Sequence, residues 1–471
     1  MNLFGTDGIR GVANADLSWE TAFRLGRAVG LYLSPGKDLC VGKDTRASGD
    51  MLEAALIAGI TSTGRHVTRF GRVTTPGLSY LVRRLSFGGG IMISASHNPF
   101  EYNGLKVFGP DGRKIPDETE IFFSRLILEK SDDGPFPTGS GIGRVADGFS
   151  LSDHYVEFLA NIPRQRFSGL KVLLDTANGS TSDIAPRVWR QVCKEVSVIN
   201  DTPDGCNINK ECGSTHPEKL CRLVKEGGFD VGFAYDGDGD RCIAVDEKGQ
   251  ILDGDHIMAI LAIWMKDAGT LKGDTVVGTV MANIGLELCL KEHGIKFVRT
   301  PVGDRYVLEE MDRGGYSLGG EQSGHVIFRD ILPAGDGIIT SLILADVLTS
   351  SGSRLSELRS IVPKVPQVMV NVRVSQPRAI MERERMLQAI ETAQNQIGAA
   401  GRVLVRASGT EPVIRVMVES FDHAKVTRCI QYLEEVIREE EGSCVRARLT
   451  ESSWDEGGRE HRAEGILRER V

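Results

Sequence analysis

No apolar run in this 471-residue chain approaches the roughly 20 residues that a membrane-spanning helix needs. The opening MNLFGTDGIRG also lacks the apolar core of a secretory signal. The expectation is a cytoplasmic protein with no membrane partner. Clustered cysteines are missing as well. The nine cysteines are odd in number and scattered, and even Cys206, Cys212 and Cys221 lack the spacing of a zinc ribbon or redox pair. Free thiols are expected. Nor is there an excess of positive charge: the formal net charge is −8, which disfavours nucleic acid or any general polyanion as a partner. A small phosphorylated ligand is compatible with that balance where local Arg, Lys, backbone amides or a metal receive it.

What is present is the composition of a soluble globular chain, with 41% hydrophobic and 25% charged residues. Its length suits three or four domains rather than one core. Three segments share one order of elements. The first runs from DLCVGKD (38–44) through a helix near 51–59 and HVTRFGRVTTP (66–76) to GGGIMISASHNP. The second runs from LKVLLDTANGS (170–180) through a helix from about Ser182 and EVSVINDTPDG (195–205) to FDVGFAYDGDGDR (229–241). The third runs from DTVVGTVMANIG (274–285) through a helix to His293 and IKFVRTPVGD (295–304) to YSLGGEQSGH (316–325). Each reads as strand, helix, strand, helix, strand, the grammar of a βαβ sheet. In each, the last strand runs into the most polar loop of its unit. Such loops gather ligands beyond the carboxyl ends of strands.

A fourth segment differs. VPQVMVNVRV (365–374) alternates as a half-exposed strand, Ala379–Ile397 reads as one helix, and RVLVRASGT and PVIRVMVES supply further strands. Val426, Cys429, Ile430, Leu433, Val436 and Ile437 mark the apolar face of a last helix. This is expected to be a smaller α+β domain. From about Arg446 the chain mixes both charges with glycine and reads as a mobile tail. Boundaries are placed near Asp147, Asp253 and Pro363–Pro366, and the turn-rich 131–143 is a surface excursion.

Five loops carry chemistry. In IMISASHNPFEYNGLK (91–106) a buried strand stops at Ser94, Ser96, His97, Asn98 and Pro99. Ser96 with His97 beside it and Lys106 further on suits a nucleophile with acid–base help, or a plain Ser/Asn turn. On this loop alone the two readings stand level. In YDGDGDR (235–241), Asp236, Asp238 and Asp240 alternate with glycines that let the backbone wrap tightly, so the carboxylates can converge on one hard cation. The competing reading is an acidic turn. No glutamate or preceding helix completes an EF-hand, which excludes a calcium module and favours Mg²⁺. Arg241 beside it suits a phosphate. RASGTEPVIR (406–415) sets Arg406 and Arg415 around Ser408, Gly409 and Thr410, the groups a phosphate dianion requires, or a turn with solvated arginines. GGEQSGH (319–325) offers Glu321 and Ser323 for sugar hydroxyls and His325 as an acid. FGTDGIRG (4–11) places Arg10 in a glycine turn, within reach of a phosphate, and KDTRASG (43–49) reads as a supporting salt-bridge and cap cluster.

Taken together and in this order, FGTDGIRG, SASHNP, DGDGDR, GEQSGH and RASGTEP make residues 1–445 resemble the α-D-phosphohexomutases. The resemblance is strongest to the bacterial branch that interconverts glucosamine 6-phosphate and glucosamine 1-phosphate and feeds UDP-N-acetylglucosamine synthesis. It implies an α/β fold, three related α/β domains with mixed sheets plus a smaller C-terminal α+β domain around a central cleft. The corresponding spans are 1–147 for the phosphoserine domain, 148–253 for metal, 254–364 for sugar, 365–445 for phosphate, and 446–471 for the tail. By the same resemblance Ser96 is the phosphoserine, and with Asp236, Asp238 and Asp240 it holds Mg²⁺. Arg10, His97, Lys106 and Arg241 surround the transferring group, with Lys106 as general acid or base. Glu321, Ser323 and His325 grip the sugar, and Arg406, Ser408, Gly409, Thr410 and Arg415 hold the unreacting phosphate. Glucosamine 1,6-bisphosphate, or another hexose 1,6-bisphosphate, is the implied activator, and a homodimer the implied assembly. Ala407 departs from the proline of many relatives. Phosphomannomutase or phosphoglucomutase activity, and a non-catalytic phosphosugar sensor, are the competing readings.

Overall fold

The computed structural model describes residues 3–5, 7–131, 134, 136–399, 401–408, 412–441 and 448–450. They divide into two compact units, one of residues 1–281 with 293–360 and the other of residues 282–292 with 361–471. No described helix is long and apolar enough to cross a membrane.

The first unit holds three mixed sheets. The first comprises β1 (Ile9–Val12), β2 (Leu39–Lys43), β3 (Val67–Arg72), β4 (Gly90–Ile93), β5 (Tyr102–Phe108) and β6 (Val145–Asp147). The second comprises β7 (Phe167–Asp175), β8 (Cys193–Ile199), β9 (Val231–Tyr235), β10 (Cys242–Asp246) and β11 (Ile251–Leu252). The third comprises β12 (Thr275–Thr279), β13 (Lys296–Thr300), β14 (Leu318–Gly320) and β15 (Val326–Phe328). All three follow one plan. The first core strand (β2, β7, β12) lies in the middle, with the second (β3, β8, β13) parallel on one side and the third (β4, β9, β14) parallel on the other. A fourth strand (β5, β10, β15) then returns antiparallel beside the third. The repeat read from the sequence is thus a repeat of topology, and the expected mixed sheets are present.

Sequence explains the third strands. GIMI in β4 and VGFAY in β9 are buried at every residue, as continuous apolar runs should be when helices cover both faces of a parallel sheet. Each third strand ends where its chain must reverse into the antiparallel fourth. Residues 94–101, 236–241 and 321–325 fill those three joints, so the polar loops occupy equivalent positions. Ser79 and Leu78 lie in the helix Thr75–Arg84, whose cap Thr74 accepts from the Gly77 amide at 3.0 Å. That helix start sits against the second joint, because the Thr75 amide donates to Asp238 O at 2.9 Å.

The second unit has a four-stranded antiparallel sheet of β16 (Gln367–Arg373), β17 (Arg402–Ala407), β18 (Val413–Glu419) and β19 (Arg448–Thr450), in the order β17-β18-β16-β19. Val370, Val372, Ile414, Val416 and Val418 pack on the helix His423–Glu441 through its six anticipated apolar residues, all buried. Asn283 ties the short helix Ile284–Glu292 to this unit by donating to Val365 O at 2.9 Å and accepting from its amide at 3.2 Å. Two expectations are corrected here. Ala379–Ile397 is two helices, Pro377–Met381 and Glu384–Ile397, broken at Arg383, whose backbone is extended (φ −73°, ψ 136°). No glycine or proline marks that break; the Arg383 guanidinium instead donates to the Glu440 carbonyl at 2.7 Å, a tertiary contact. Residues 448–450, assigned to the tail, pair with β16 as an edge strand, which their place in the alternating VRARLT permits. The remainder of the tail, 446–447 and 451–471, lies outside the described residues.

Candidate active site

Ser96 sits in the joint after β4 with φ +52°, the left-handed region, which costs a non-glycine residue about 1–2 kcal/mol. The surroundings hold it there. Arg46 Nη2 and Asn209 Nδ2 each donate to the Ser96 carbonyl at 2.9 Å, and both reach the Asn98 carbonyl, at 2.8 and 3.1 Å. The Ser96 amide donates to Ser94 Oγ at 2.9 Å, and Ser94 Oγ donates to Asp44 at 2.6 Å. Asp44 in turn accepts from Arg46 Nε at 2.9 Å. The KDTRASG segment supplies the expected salt bridge, Arg46 to Asp44, which supports the serine turn, but the expected cap is corrected: Ser48 makes no side-chain cap hydrogen bond to the helix it precedes. The Ser96 side chain is left one direction to face. Its Oγ is buried and donates to Asp236 Oδ2 at 2.6 Å, with His97 Nδ1 at 3.4 Å.

The second joint supplies Asp236, Asp238 and Asp240, all buried, with ligand atoms within 4.8 Å of one another. Gly239 turns the backbone at φ +74°. Beneath the loop a Cβ on Gly179 would meet Gly237 O at 2.5 Å, so glycine is needed for that close approach. Asp238 Oδ2 accepts from Lys106 Nζ at 2.8 Å and from Thr75 Oγ1 at 2.5 Å. Its Oδ1, and Oδ1 of Asp240, are buried without a hydrogen-bond partner among the described residues. Unsatisfied buried carboxylate oxygens are costly, and convergent ones fit a hard divalent cation.

Charge sets the protonation around this triad. Burial and the neighbouring charges of Asp240 and Asp238 push the Asp236 carboxyl well up. Burial also pushes Asp240 up, but His325, Lys106 and Arg241 outweigh it and hold it below the usual carboxylate range. Lys106 is disfavoured as a cation by burial, yet Asp238, Asp7 and Asp240 raise its pKa overall. It is therefore a fixed ammonium in the resting site. His97 is pushed down to about 4 by burial and by Arg241 and Arg10, so its imidazole is neutral near pH 7. Arg10 pairs with Asp7 through its guanidinium, and Asp7 also meets Lys106 Nζ at 2.9 Å. Arg241 donates its amide to Asp236 Oδ1 at 3.2 Å and holds Nε 3.9 Å from Asp240.

In the third joint Glu321 Oε1 accepts from the Gly303 amide at 3.2 Å, and Ser323 Oγ is buried without a partner among the described residues. His325 is buried and accepts the Gly335 amide on Nε2 at 3.2 Å. Its Nδ1 faces Asp240 at 3.6 Å. His325 thus turns toward the acidic joint.

Ser96, His97, Lys106, Arg10, Arg241, the three aspartates and the third joint all belong to the first unit. In the second unit Arg406 and Arg415 are directly opposed in the β17–β18 register. Burial lowers the Arg406 pKa, and Arg415 lowers it further. Like charges opposed across strands are unfavourable, and an anion would offset them. The Ser408 amide donates to Val413 O at 2.9 Å; Gly409 and Thr410 lie outside the described residues. Several residues at the site were not anticipated individually: Asp7, Arg46, Thr75 and Asn209. Asp7 could have been found by charge balance, since the buried Lys106 and Arg10 require a counter-charge.

Four family models match in order: phosphoglucomutase/phosphomannomutase alpha/beta/alpha domain I at residues 1–130, domain II at 153–249, domain III at 253–365 and the C-terminal domain at 369–436. The chain belongs to the phosphoglucomutase/phosphomannomutase family. Among its relatives, the phosphoglucosamine mutase of Thermoanaerobacter sp. (strain X514) is 50% identical over 440 residues, 92% of this chain and 98% of the relative. That of Bacillus cereus (strain AH187) is 47% identical over 443 residues, 93% and 99% respectively. The solved phosphoglucomutase/phosphomannomutase family protein of Burkholderia thailandensis superposes with a TM-score of 0.79 at 25% identity, covering 94% of this chain and 98% of its own.

Proposed function

We propose that this enzyme interconverts glucosamine 6-phosphate and glucosamine 1-phosphate through a phosphoryl group carried on Ser96. The observation that carries the reading is the buried Ser96 Oγ, aimed at Asp236 at 2.6 Å beside two unsatisfied carboxylate oxygens. The substrate class follows the two relatives at 47–50% identity. A free hydroxyl of the sugar phosphate attacks the phosphorus; the Ser96 Oγ–P bond breaks as the sugar O–P bond forms. The resulting bisphosphate, turned end for end, returns its other phosphoryl group to Ser96. Mg²⁺ held by Asp236, Asp238, Asp240 and the Ser96 phosphate would offset the charge that builds on the transferring group. Lys106, an ammonium in the resting site, is the general acid–base candidate, and Arg10 and Arg241 add positive charge there. Neutral His97 lies 3.4 Å from Ser96 Oγ, and a phosphoserine dianion beside it raises its basicity. Glu321 and Ser323 hold sugar hydroxyls, and Arg406, Ser408, Gly409, Thr410 and Arg415 hold the unreacting phosphate. The domain spans given above are assigned accordingly, and a hexose 1,6-bisphosphate serves as activator.

A protonated 2-amino group adds a positive charge that an acidic site favours, and a hydrogen bond to a charged group contributes about 1.5–3 kcal/mol. The kcat/KM for glucosamine 1-phosphate is expected to exceed that for glucose 1-phosphate and mannose 1-phosphate by at least about tenfold. Preference for either of the latter in side-by-side assays rejects the amino-sugar assignment and keeps the hexomutase one. Intact mass separates an enzyme from a sensor: a phosphate of about 80 Da on Ser96 marks a working carrier. A homodimer is proposed through the helices Trp19–Tyr32 and Asp117–Glu129, where Trp19, Tyr32, Ile121 and Leu128 are exposed. Sedimentation of Ile121→Glu as a monomer supports that contact, and an unchanged mass rejects it.

A further inference from the structure

The first and third sheets meet through a half-buried ammonium that the chemistry described so far does not use. Lys114 follows β5, and its Nζ lies 2.5 Å from Asp7 Oδ1 and 2.6 Å from Asp304 Oδ2. Burial works against its charge, but Asp304 and Asp7 raise its pKa overall. Asp7 is the carboxylate that holds Lys106, and Lys106 holds Asp238. Asp304 opens the helix Asp304–Gly314, where the helix dipole favours a negative charge. The residue before it, Gly303, donates its amide to Glu321. Asp304 also lies 3.8 Å from His325 Nε2. A continuous path of alternating charge therefore runs from the acidic joint to the loop assigned to the sugar: Asp238, Lys106, Asp7, Lys114, Asp304. The last two line one cavity of about 360 Å³ together with Asp240 and His325.

We infer that Lys114 and Asp304 are positioning residues that set the sugar-binding joint against the phosphoserine joint. This rests on the mutase reading above. Neither is expected to touch a reacting atom. Removing the ammonium leaves Asp7 and Asp304 without their shared partner, and the start of the helix, with Gly303 and hence Glu321, loses its anchor. The triad oxygens that face a cation are not part of this bridge. Loss of the bridge should accordingly weaken sugar-phosphate binding and spare the metal.

The test compares Lys114→Met, Asp304→Asn and the double variant in the full-length enzyme. The substrate is whichever of glucosamine 1-phosphate, glucose 1-phosphate and mannose 1-phosphate the wild type uses best. A wild-type preference for a neutral sugar would overturn the amino-sugar assignment while leaving this comparison intact. Each single variant is expected to raise KM at least tenfold with kcat reduced less than threefold. Mg²⁺ affinity by calorimetry should stay within threefold, and the double variant within twofold of the worse single, because both break one bridge. Three results would overturn the inference: KM within threefold of wild type, losses that multiply in the double variant, or Mg²⁺ affinity falling in step with KM. If Lys114→Met does not fold, Asp304→Asn alone decides by the same KM and Mg²⁺ criteria.

Discussion

The joints after β4 and β9 occupy the same place in two copies of one topology, yet they treat their polar groups in opposite ways. Around Ser96 the backbone carbonyl, the amide and the hydroxyl all have partners. Around Asp238 and Asp240 one oxygen of each carboxylate has none among the described residues. On the proposed reading a nucleophile must be held in one orientation, and the serine joint is over-determined and carries an unfavourable φ against that support. A cation site must be left incomplete by the protein, so its joint keeps unsatisfied oxygens that only a ligand completes. The same strand-to-strand connection serves either purpose, and the side chains decide which.

The comparison breaks most completely at its centre. Ser96→Ala is expected to reduce mutase turnover by at least about 10⁴-fold, because no other described hydroxyl is proposed to carry the phosphoryl group and uncatalysed ester cleavage is extremely slow. Transfer of ³²P from a labelled bisphosphate checks it, and near-wild-type labelling and turnover would overturn the carrier. On the other side of the comparison, Asp238→Asn should weaken Mg²⁺ binding by about tenfold or more and slow transfer by about 10²-fold, roughly the loss of one charge-assisted contact. Calorimetry checks the first effect. Added Mg²⁺ should also raise the wild-type melting temperature by linkage and raise that of the variant less.

Asn209→Ala sharpens the contrast, since it loosens the serine turn and leaves the carboxylates alone. The lost carboxamide contacts are worth about 1–3 kcal/mol, hence a roughly 10–100-fold fall in kcat, with Mg²⁺ affinity within threefold of wild type. A parallel fall in Mg²⁺ affinity would mean that the two joints are not separable. The smallest effect expected is on pH dependence. The folded state holds His97 at about 4, below its ordinary 6.5, so in that window the unfolded chain binds more protons and stability falls as pH falls. In His97→Gln the loss of melting temperature between pH 6.5 and 4.5 should be shallower by a few degrees. An identical slope would place the acid sensitivity in the carboxylates alone.

The loops at 94–101, 236–241 and 321–325 were legible because each is a local anomaly, a polar run at the end of a buried strand. The parallel-strand grammar was legible for the same reason, since GIMI, VGFAY and TVVGT are short apolar runs bounded by turns. What escaped is non-local. Asn209 contacts a carbonyl 113 positions away, and Lys114 meets a carboxylate 190 positions away; no spacing along the chain reports either. The break at Arg383 and the edge strand at 448–450 escaped likewise, being set by Glu440 and by β16 rather than by turn residues. Arg406, Ser408 and Arg415 were read as a phosphate motif from their types, and the direct opposition of the two arginines is added by strand register.

The threefold use of one connection has a consequence for how such a protein can change over generations. The proposed carrier, cation seat and sugar grip stand at the ends of three separate strand triplets. A substitution that retunes the grip at 321–325 leaves the hydrogen bonds of the serine turn intact. Preference for one hexose over another is then free to drift while the phosphoryl chemistry is conserved. An engineer seeking a new sugar would randomise the β14–β15 connection and leave the β4–β5 and β9–β10 connections unchanged.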